Sequence, residues 1–139
     1  MTLKMKLAVF ASLLVLLPFK AEAGSCVGKT VKVWVIKGRH LTGDGFSHPD
    51  PYVKVTIGEE TRQTRIIYSD SNPVWYQKFR FYDTTSDIMR IDIRRADGGG
   101  YNHHLGTCIE RLESGGGYWQ KVKCRATDSG YVKLYYRCY

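Results

Sequence analysis

Apolar and polar side chains alternate with a period of two along most of the chain after residue 23. The segment at residues 30–37 shows the pattern most clearly, because valine occupies every second position from Val31 to Val35. Such alternation is typical of a β-strand that buries one face. The valine face is expected to point into a core, and the opposite face, which is expected to point outward, carries Lys32, Trp34 and Ile36.

Seven further segments have the composition or the alternation of strands. They are residues 52–57, 60–67, 75–82, 88–94, 105–109, 118–124 and 131–137. Glycine, proline, aspartate and asparagine separate them, which are the residues that turns require. About eight short strands with turns between them, and no stretch of helical period, predict an all-β fold. We expect one eight-stranded antiparallel β-sandwich over residues 24–139.

The first residues have the composition of a secretory signal peptide. Lysines precede an apolar run at residues 7–19, and Ala21 and Ala23 are small residues at the positions that signal peptidase recognises. The apolar run is shorter than the roughly 20 residues that a membrane-spanning helix needs. The sequence therefore predicts a cleaved signal peptide at residues 1–23 and a secreted, extracellular protein.

All four cysteines follow the predicted signal peptide. An even number of cysteines in an exported chain indicates disulfide bonds. Three pairings are possible, and we favour Cys26–Cys138, which would join the two ends of the domain, together with Cys108–Cys124, which would close a hairpin-sized loop. No two cysteines stand two to four residues apart, as the ligands of structural zinc sites usually do, so the spacing argues against zinc.

The chain is basic, with a formal net charge of +8. A basic secreted domain is attracted to anionic surfaces such as lipid headgroups, glycans or nucleic acid, and charge alone does not choose between them. The sequence contains no Gly-x-Ser-x-Gly, His-Glu-x-x-His or phosphate-loop motif. We therefore predict a non-catalytic binding protein rather than an enzyme.

Two motifs resemble the C2 domain family, a calcium-dependent membrane-binding module. In residues 41–55, Asp44 is followed six residues later by Asp50, which opens the sequence Asp-Pro-Tyr-Val-Lys-Val; residues 71–81 contain Asn-Pro-Val-Trp and then Phe-Arg-Phe. The Leu-Gly-Thr-Cys and Tyr-Tyr-Arg-Cys-Tyr sequences near the end resemble, more narrowly, the C-terminal C2 domain of perforin. The resemblance implies a Greek-key sandwich, a monomer that binds anionic phospholipid membranes, and a role in innate host defence. Nucleic acid is not expected as a partner.

The resemblance also implies a calcium site built from two loops. Asp44 and Asp50 occupy the family's ligand positions in the first loop, and Asp97 occupies one in the third. Arg95 and His103 stand where the family has two further aspartates. Because calcium takes six to eight oxygen ligands and a guanidinium repels a dication, we expect one weak calcium site or none.

Aromatic and cationic side chains in the same loops are candidates for membrane contact. Phe46 and Tyr101 are expected at the tips of the first and third loops, where a ring can enter the bilayer interface or fold back onto its own loop. Arg95 is expected to meet an anionic headgroup directly, through a bidentate contact.

Five cations fall on predicted strands that, in the C2 fold, form a concave face. They are Lys54, Arg62, Arg65, Lys78 and Arg80. Together they would form a basic patch for phosphorylated lipids or sulfated glycans, or only a solvated surface. This leaves an alternative function, namely a calcium-independent cationic antimicrobial or glycan-binding protein that acts through Arg95 and this patch.

Overall fold

The computed structural model describes residues 24–42, 48–96, 103–126 and 129–139; the predicted signal peptide lies outside them. These residues form eight strands and one short 3₁₀ turn. They are β1 (Val31–Arg39), β2 (Pro51–Ile57), β3 (Glu60–Gln63), β4 (Val74–Phe81), β5 (Ile88–Arg95), β6 (His103–Arg111), the turn Gly115–Gly117, β7 (Gln120–Arg125) and β8 (Tyr131–Cys138). Among the described residues, no helix is long and apolar enough to span a bilayer.

The strands form two antiparallel sheets of four strands each. One sheet has the order β4-β1-β8-β7 and is called the β1 sheet here, and the other has the order β3-β2-β5-β6 and is called the β5 sheet. The predicted all-β sandwich of eight strands is therefore confirmed.

The core lies between the two sheets, where the predicted alternation buries one side of each strand. Val31, Val33 and Val35 are fully buried on β1. Ile36 lies on the outer face, as the alternation predicts, yet it is only 6% exposed because it lines a depression there beside Trp34 and Tyr135. A β-bulge between Val35 and Lys37 shifts the register of β1 against both of its neighbours.

Both predicted disulfides are present. Cys26–Cys138 ties the segment before β1 to the end of β8, and Cys108–Cys124 joins β6 of the β5 sheet to β7 of the β1 sheet. The sequence separations are 112 and 16 residues. On the chain-entropy model these loops correspond to about 5 and about 3 kcal/mol of stabilisation, which is substantial for a domain of this size.

Candidate functional site

The two loops predicted to hold calcium leave the sandwich at the same end, which is called the loop end here. Pro51 at the start of β2 lies opposite Arg95 at the end of β5, and Arg95 lies opposite His103 at the start of β6. The backbone N–H of Ala96 donates a hydrogen bond of 2.9 Å to the carbonyl of Asp50. The fold therefore brings Asp50 beside the residue that precedes the predicted third loop.

Asp50 is the predicted calcium ligand that falls within the described residues. It is half-buried, and its Oδ1 accepts a hydrogen bond of 2.7 Å from the backbone N–H of Ser69. This contact holds the carboxylate against the connection between β3 and β4. The other two predicted ligands, Asp44 and Asp97, and the predicted aromatic tips, Phe46 and Tyr101, lie outside the described residues.

Arg95 has a different position from the one expected. It shares the core-facing side of β5 with Ile93 and is only 7% exposed. This position differs from the expected contact with an anionic headgroup, because the alternation of β5 continues to its last residue and turns Arg95 inward. The small exposed area argues against a direct headgroup contact through this guanidinium.

The residues that the structure describes contain no group of three or more His, Cys, Asp or Glu side chains that could hold a metal ion. At the loop end the described part of the predicted donor set is Asp50 alone. A calcium ion there would depend on Asp50 together with Asp44 and Asp97, and the last two lie outside the described residues.

The family model of the C2 domain matches residues 29–129. This chain belongs to the C2 domain family. Human perforin-1 is 30% identical over 113 residues, which are 78% of this chain and 20% of perforin-1, so the chain spans about a fifth of that relative. The predicted resemblance to C2 domains and to perforin is confirmed.

Solved structures show the same fold. A C2 domain superposes with a TM-score of 0.70 at 20% identity, and the match covers 79% of this chain and 97% of that domain. A C2 domain of plant extended synaptotagmin 1 gives a TM-score of 0.65 at 19% identity, over 81% of this chain and 95% of that domain.

The predicted basic patch does not form one surface in this C2 domain. Lys54 points outward from β2 in the β5 sheet, whereas Lys78 and Arg80 point outward from β4 in the β1 sheet. Since the two sheets pack face to face, these side chains lie on opposite sides of the sandwich. The alternation of a strand predicts which side chains share a face, but it does not predict which sheet the strand joins.

The other two cations of that patch lie at the edge where β3 approaches β4. Arg62 lies opposite the buried Val55, and its guanidinium stands 5.0 Å from the centre of the Phe81 ring. Arg65 donates a hydrogen bond to the carbonyl of Trp75. Both side chains therefore close the edge of the C2 sandwich instead of extending a basic face.

The outer face of the β5 sheet is organised around one carboxylate. Asp92 is 5% exposed and accepts hydrogen bonds from Arg90 Nε at 3.0 Å and from the Thr107 hydroxyl at 2.7 Å. His104 stands 3.8 Å from the same carboxylate. Burial alone would raise the pKa of Asp92, but the hydrogen bonds from Thr107 and Arg90 outweigh it and lower that pKa below its ordinary value.

The outer face of the β1 sheet carries a cluster of aromatic rings that was not predicted from the sequence. The Trp34 ring lies 6.4 Å from Tyr76, 5.9 Å from Trp119 and 6.2 Å from Tyr135, centre to centre. The signal was present in the sequence, because rings and cations share the outward positions of β4 and β8. This face is the second candidate surface of the C2 domain.

Proposed function

We propose that this chain is a secreted, non-catalytic C2 domain that binds anionic phospholipid membranes outside the cell, weakly assisted by calcium, in host defence. The observation that carries the proposal is the loop end. Asp50 is fixed there by Ser69 and Ala96, and both predicted calcium loops leave the sandwich beside it. Family membership supplies the expectation that such an end faces a membrane.

Calcium assistance rests on the donor chemistry of three side chains. Asp44, Asp50 and Asp97 would hold the ion, and hard carboxylate oxygens on loops are the ligands that calcium prefers. The two C2 domains of extended synaptotagmin 2, which match this fold, are known with calcium bound. A bound calcium ion would supply positive charge that attracts phosphate and carboxylate headgroups. With three carboxylates, the site is expected in the weak range of about 10⁻⁴ to 10⁻³ M.

Secretion is supported by the two disulfides and by the predicted signal peptide. Disulfides of this kind persist in oxidising compartments and are rare in the cytosol. The proposed role in host defence rests on the similarity to perforin-1.

Vesicle sedimentation with phosphatidylserine vesicles, in calcium and in a chelator, tests the proposal. We expect calcium to increase binding, and we expect Asp50→Asn to reduce the calcium-dependent part by about tenfold or more. Asp83→Asn is the matched control, because it makes the same charge change in the exposed turn after β4, at the opposite end of the sandwich. Calorimetric titration with millimolar calcium measures ion binding separately.

Each possible failure has a distinct meaning. Binding that is equal in calcium and chelator, and is unchanged by Asp50→Asn, would show that calcium assistance is wrong. A chain that binds no anionic vesicles under either condition would contradict the membrane function as a whole.

A further inference from the structure

The outer face of the β1 sheet combines cations with aromatic rings and is called the aromatic–basic face here. The four strands that form it contain no aspartate or glutamate anywhere along their length. Buried residues alternate with lysine, arginine, tyrosine and tryptophan on these strands, so the polar and aromatic set points outward. The loop-end proposal uses none of these side chains.

Strand register arranges the cations in rows across the sheet. One row crosses β1, β8 and β7 and consists of Lys37, Lys133 and Lys123. A second row crosses β4, β1 and β8 and consists of Arg80, Lys32 and Arg137. Because neighbouring strands lie about 4.8 Å apart, the backbone positions that carry these cations repeat at about this spacing within each row.

Aromatic rings fill the space between the two rows. Trp34 and Tyr135 lie opposite one another on β1 and β8, with Tyr76 and Trp119 on either side. Rings, Ile36 and one lysine line a shallow depression of about 390 Å³. A second depression of about 130 Å³ beside it is lined by four lysines and one tyrosine. The face is therefore a broad surface in two dimensions and not a single groove.

Several cations of this face contact its aromatic rings, which do not neutralise their charge. Lys78 Nζ lies 4.8 Å from the centre of the Trp34 ring, and Lys123 Nζ lies 4.2 Å from that of Tyr131. Cation–π contacts of this kind offset some of the repulsion, but like charges that face each other across strands still cost stability. The row of three lysines lies on strands that contain no carboxylate. An external anion would therefore relieve the repulsion between these lysines.

We propose that the aromatic–basic face is a second membrane-contact surface, which lies flat on an anionic phospholipid bilayer and needs no calcium. Tyrosine and tryptophan rings favour the headgroup region, and lysine and arginine attract anionic lipids. A linear polyanion would engage one row at a time, whereas a bilayer offers anions in two dimensions and meets both rows together. The inference rests on the proposed function only in taking an anionic lipid surface as the target.

Tryptophan quenching identifies the surface that touches the bilayer. The chain has three tryptophans; Trp34 and Trp119 lie on the aromatic–basic face, and Trp75 is fully buried in the core. In chelator, brominated phosphatidylserine vesicles are expected to quench the wild-type fluorescence. The double variant Trp34→Phe/Trp119→Phe keeps an aromatic ring at both positions and retains only the core tryptophan, so its fluorescence is expected to stay unquenched.

A pair of charge variants measures what the rows contribute. Lys123→Gln/Lys133→Gln is expected to weaken binding to phosphatidylserine vesicles in chelator about 30-fold, since each lysine near an anionic surface contributes strongly. The control Lys29→Gln/Arg111→Gln removes the same charge from two exposed residues outside the β1 sheet and is expected to bind as the wild type does. Raising the salt concentration should weaken wild-type binding steeply.

The outcomes separate this inference from the proposed function. Chelator-resistant binding with quenched tryptophans and a sensitive lysine pair supports the second surface. Binding that needs calcium, is lost in Asp50→Asn and is indifferent to the lysine pair overturns the second surface but leaves the loop-end proposal standing. Chelator-resistant capture by heparin or single-stranded DNA, without vesicle binding, overturns the lipid as occupant.

Discussion

The two outer faces of the sandwich differ in whether a carboxylate lies beside their positive charges. On the β5 sheet, Arg90 and His104 surround the nearly buried carboxylate of Asp92, and Thr107 completes its hydrogen bonds. On the β1 sheet, lysines and arginines face one another across strands that contain no acidic residue. The first face satisfies its charges internally, and the second leaves them available to an external anion.

One outer face contributes to the stability of the fold, and the other leaves charge accessible to an external anion. A buried carboxylate with several donors stabilises the sheet that contains it. Cations held against rings leave their charge accessible, at some cost in stability. Substitutions on the two faces should therefore change the free energy of unfolding with opposite signs.

The largest effect is expected from Asp92→Ala. The change removes the acceptor for Arg90 and for the Thr107 hydroxyl inside a nearly closed site, and it should destabilise the domain by about 2 to 3 kcal/mol. Urea unfolding measures this value. Tyr76→Ala on the other face is the control, since this residue is 64% exposed and the loss of its ring should change stability by less than about 0.5 kcal/mol. If both variants lowered the free energy of unfolding equally, the two faces would not differ in their contribution to stability.

The contribution of Asp92 should also depend on pH. Its pKa is lower in the folded state than its ordinary value, so the carboxylate binds a proton less readily in the fold than in the unfolded chain. The stabilisation is therefore fully present above the unfolded pKa and is lost as the pH falls through the folded pKa. Thermal unfolding of the wild type and of Asp92→Asn at decreasing pH should show two melting temperatures that converge in acid. A constant difference would contradict the ionised role of Asp92.

Lys133→Glu is expected to have the smallest effect, but the sign of its change in the free energy of unfolding tests the contrast between the faces most directly. It places a carboxylate between Lys37 and Lys123 and should stabilise the domain by about 0.5 kcal/mol, with the gain fading in high salt. Lys54→Glu makes the same charge change directly opposite Asp92 and should destabilise by a similar amount. Denaturant titrations of the two variants at two salt concentrations measure these changes. If both variants change the free energy of unfolding with the same sign, the contrast between the faces is wrong.

Most of the fold could be predicted from the sequence because its signals are local. The alternation of valines on β1 set the buried face, and the positions of four cysteines favoured the pairing that the structure has. The bulge between Val35 and Lys37 escaped prediction, because it depends on the neighbouring strands, which a single strand does not reveal.

The surfaces were harder to predict because they depend on which strands share a sheet. Lys54 and Lys78 look alike as outward lysines on alternating strands, yet they lie on opposite sides of the molecule. Trp34 was assigned correctly to an outer face, but its contact with Trp119 joins residues far apart in the chain and needs the order of strands in the sheet. For the loop end, the sequence motif located Asp50, and the contact with Ser69 appeared only in three dimensions.

The Cys26–Cys138 bond changes what a single cleavage of the backbone does to the molecule. It closes nearly the whole described domain into a ring, since its two cysteines lie 112 positions apart. A protease that cuts one exposed turn, such as the one at Gly58 and Glu59, opens the backbone without releasing a fragment. Both pieces stay tethered at the end opposite the loop end, where a high effective concentration favours their reassociation. A first proteolytic cut would therefore leave both outer faces on a single molecule.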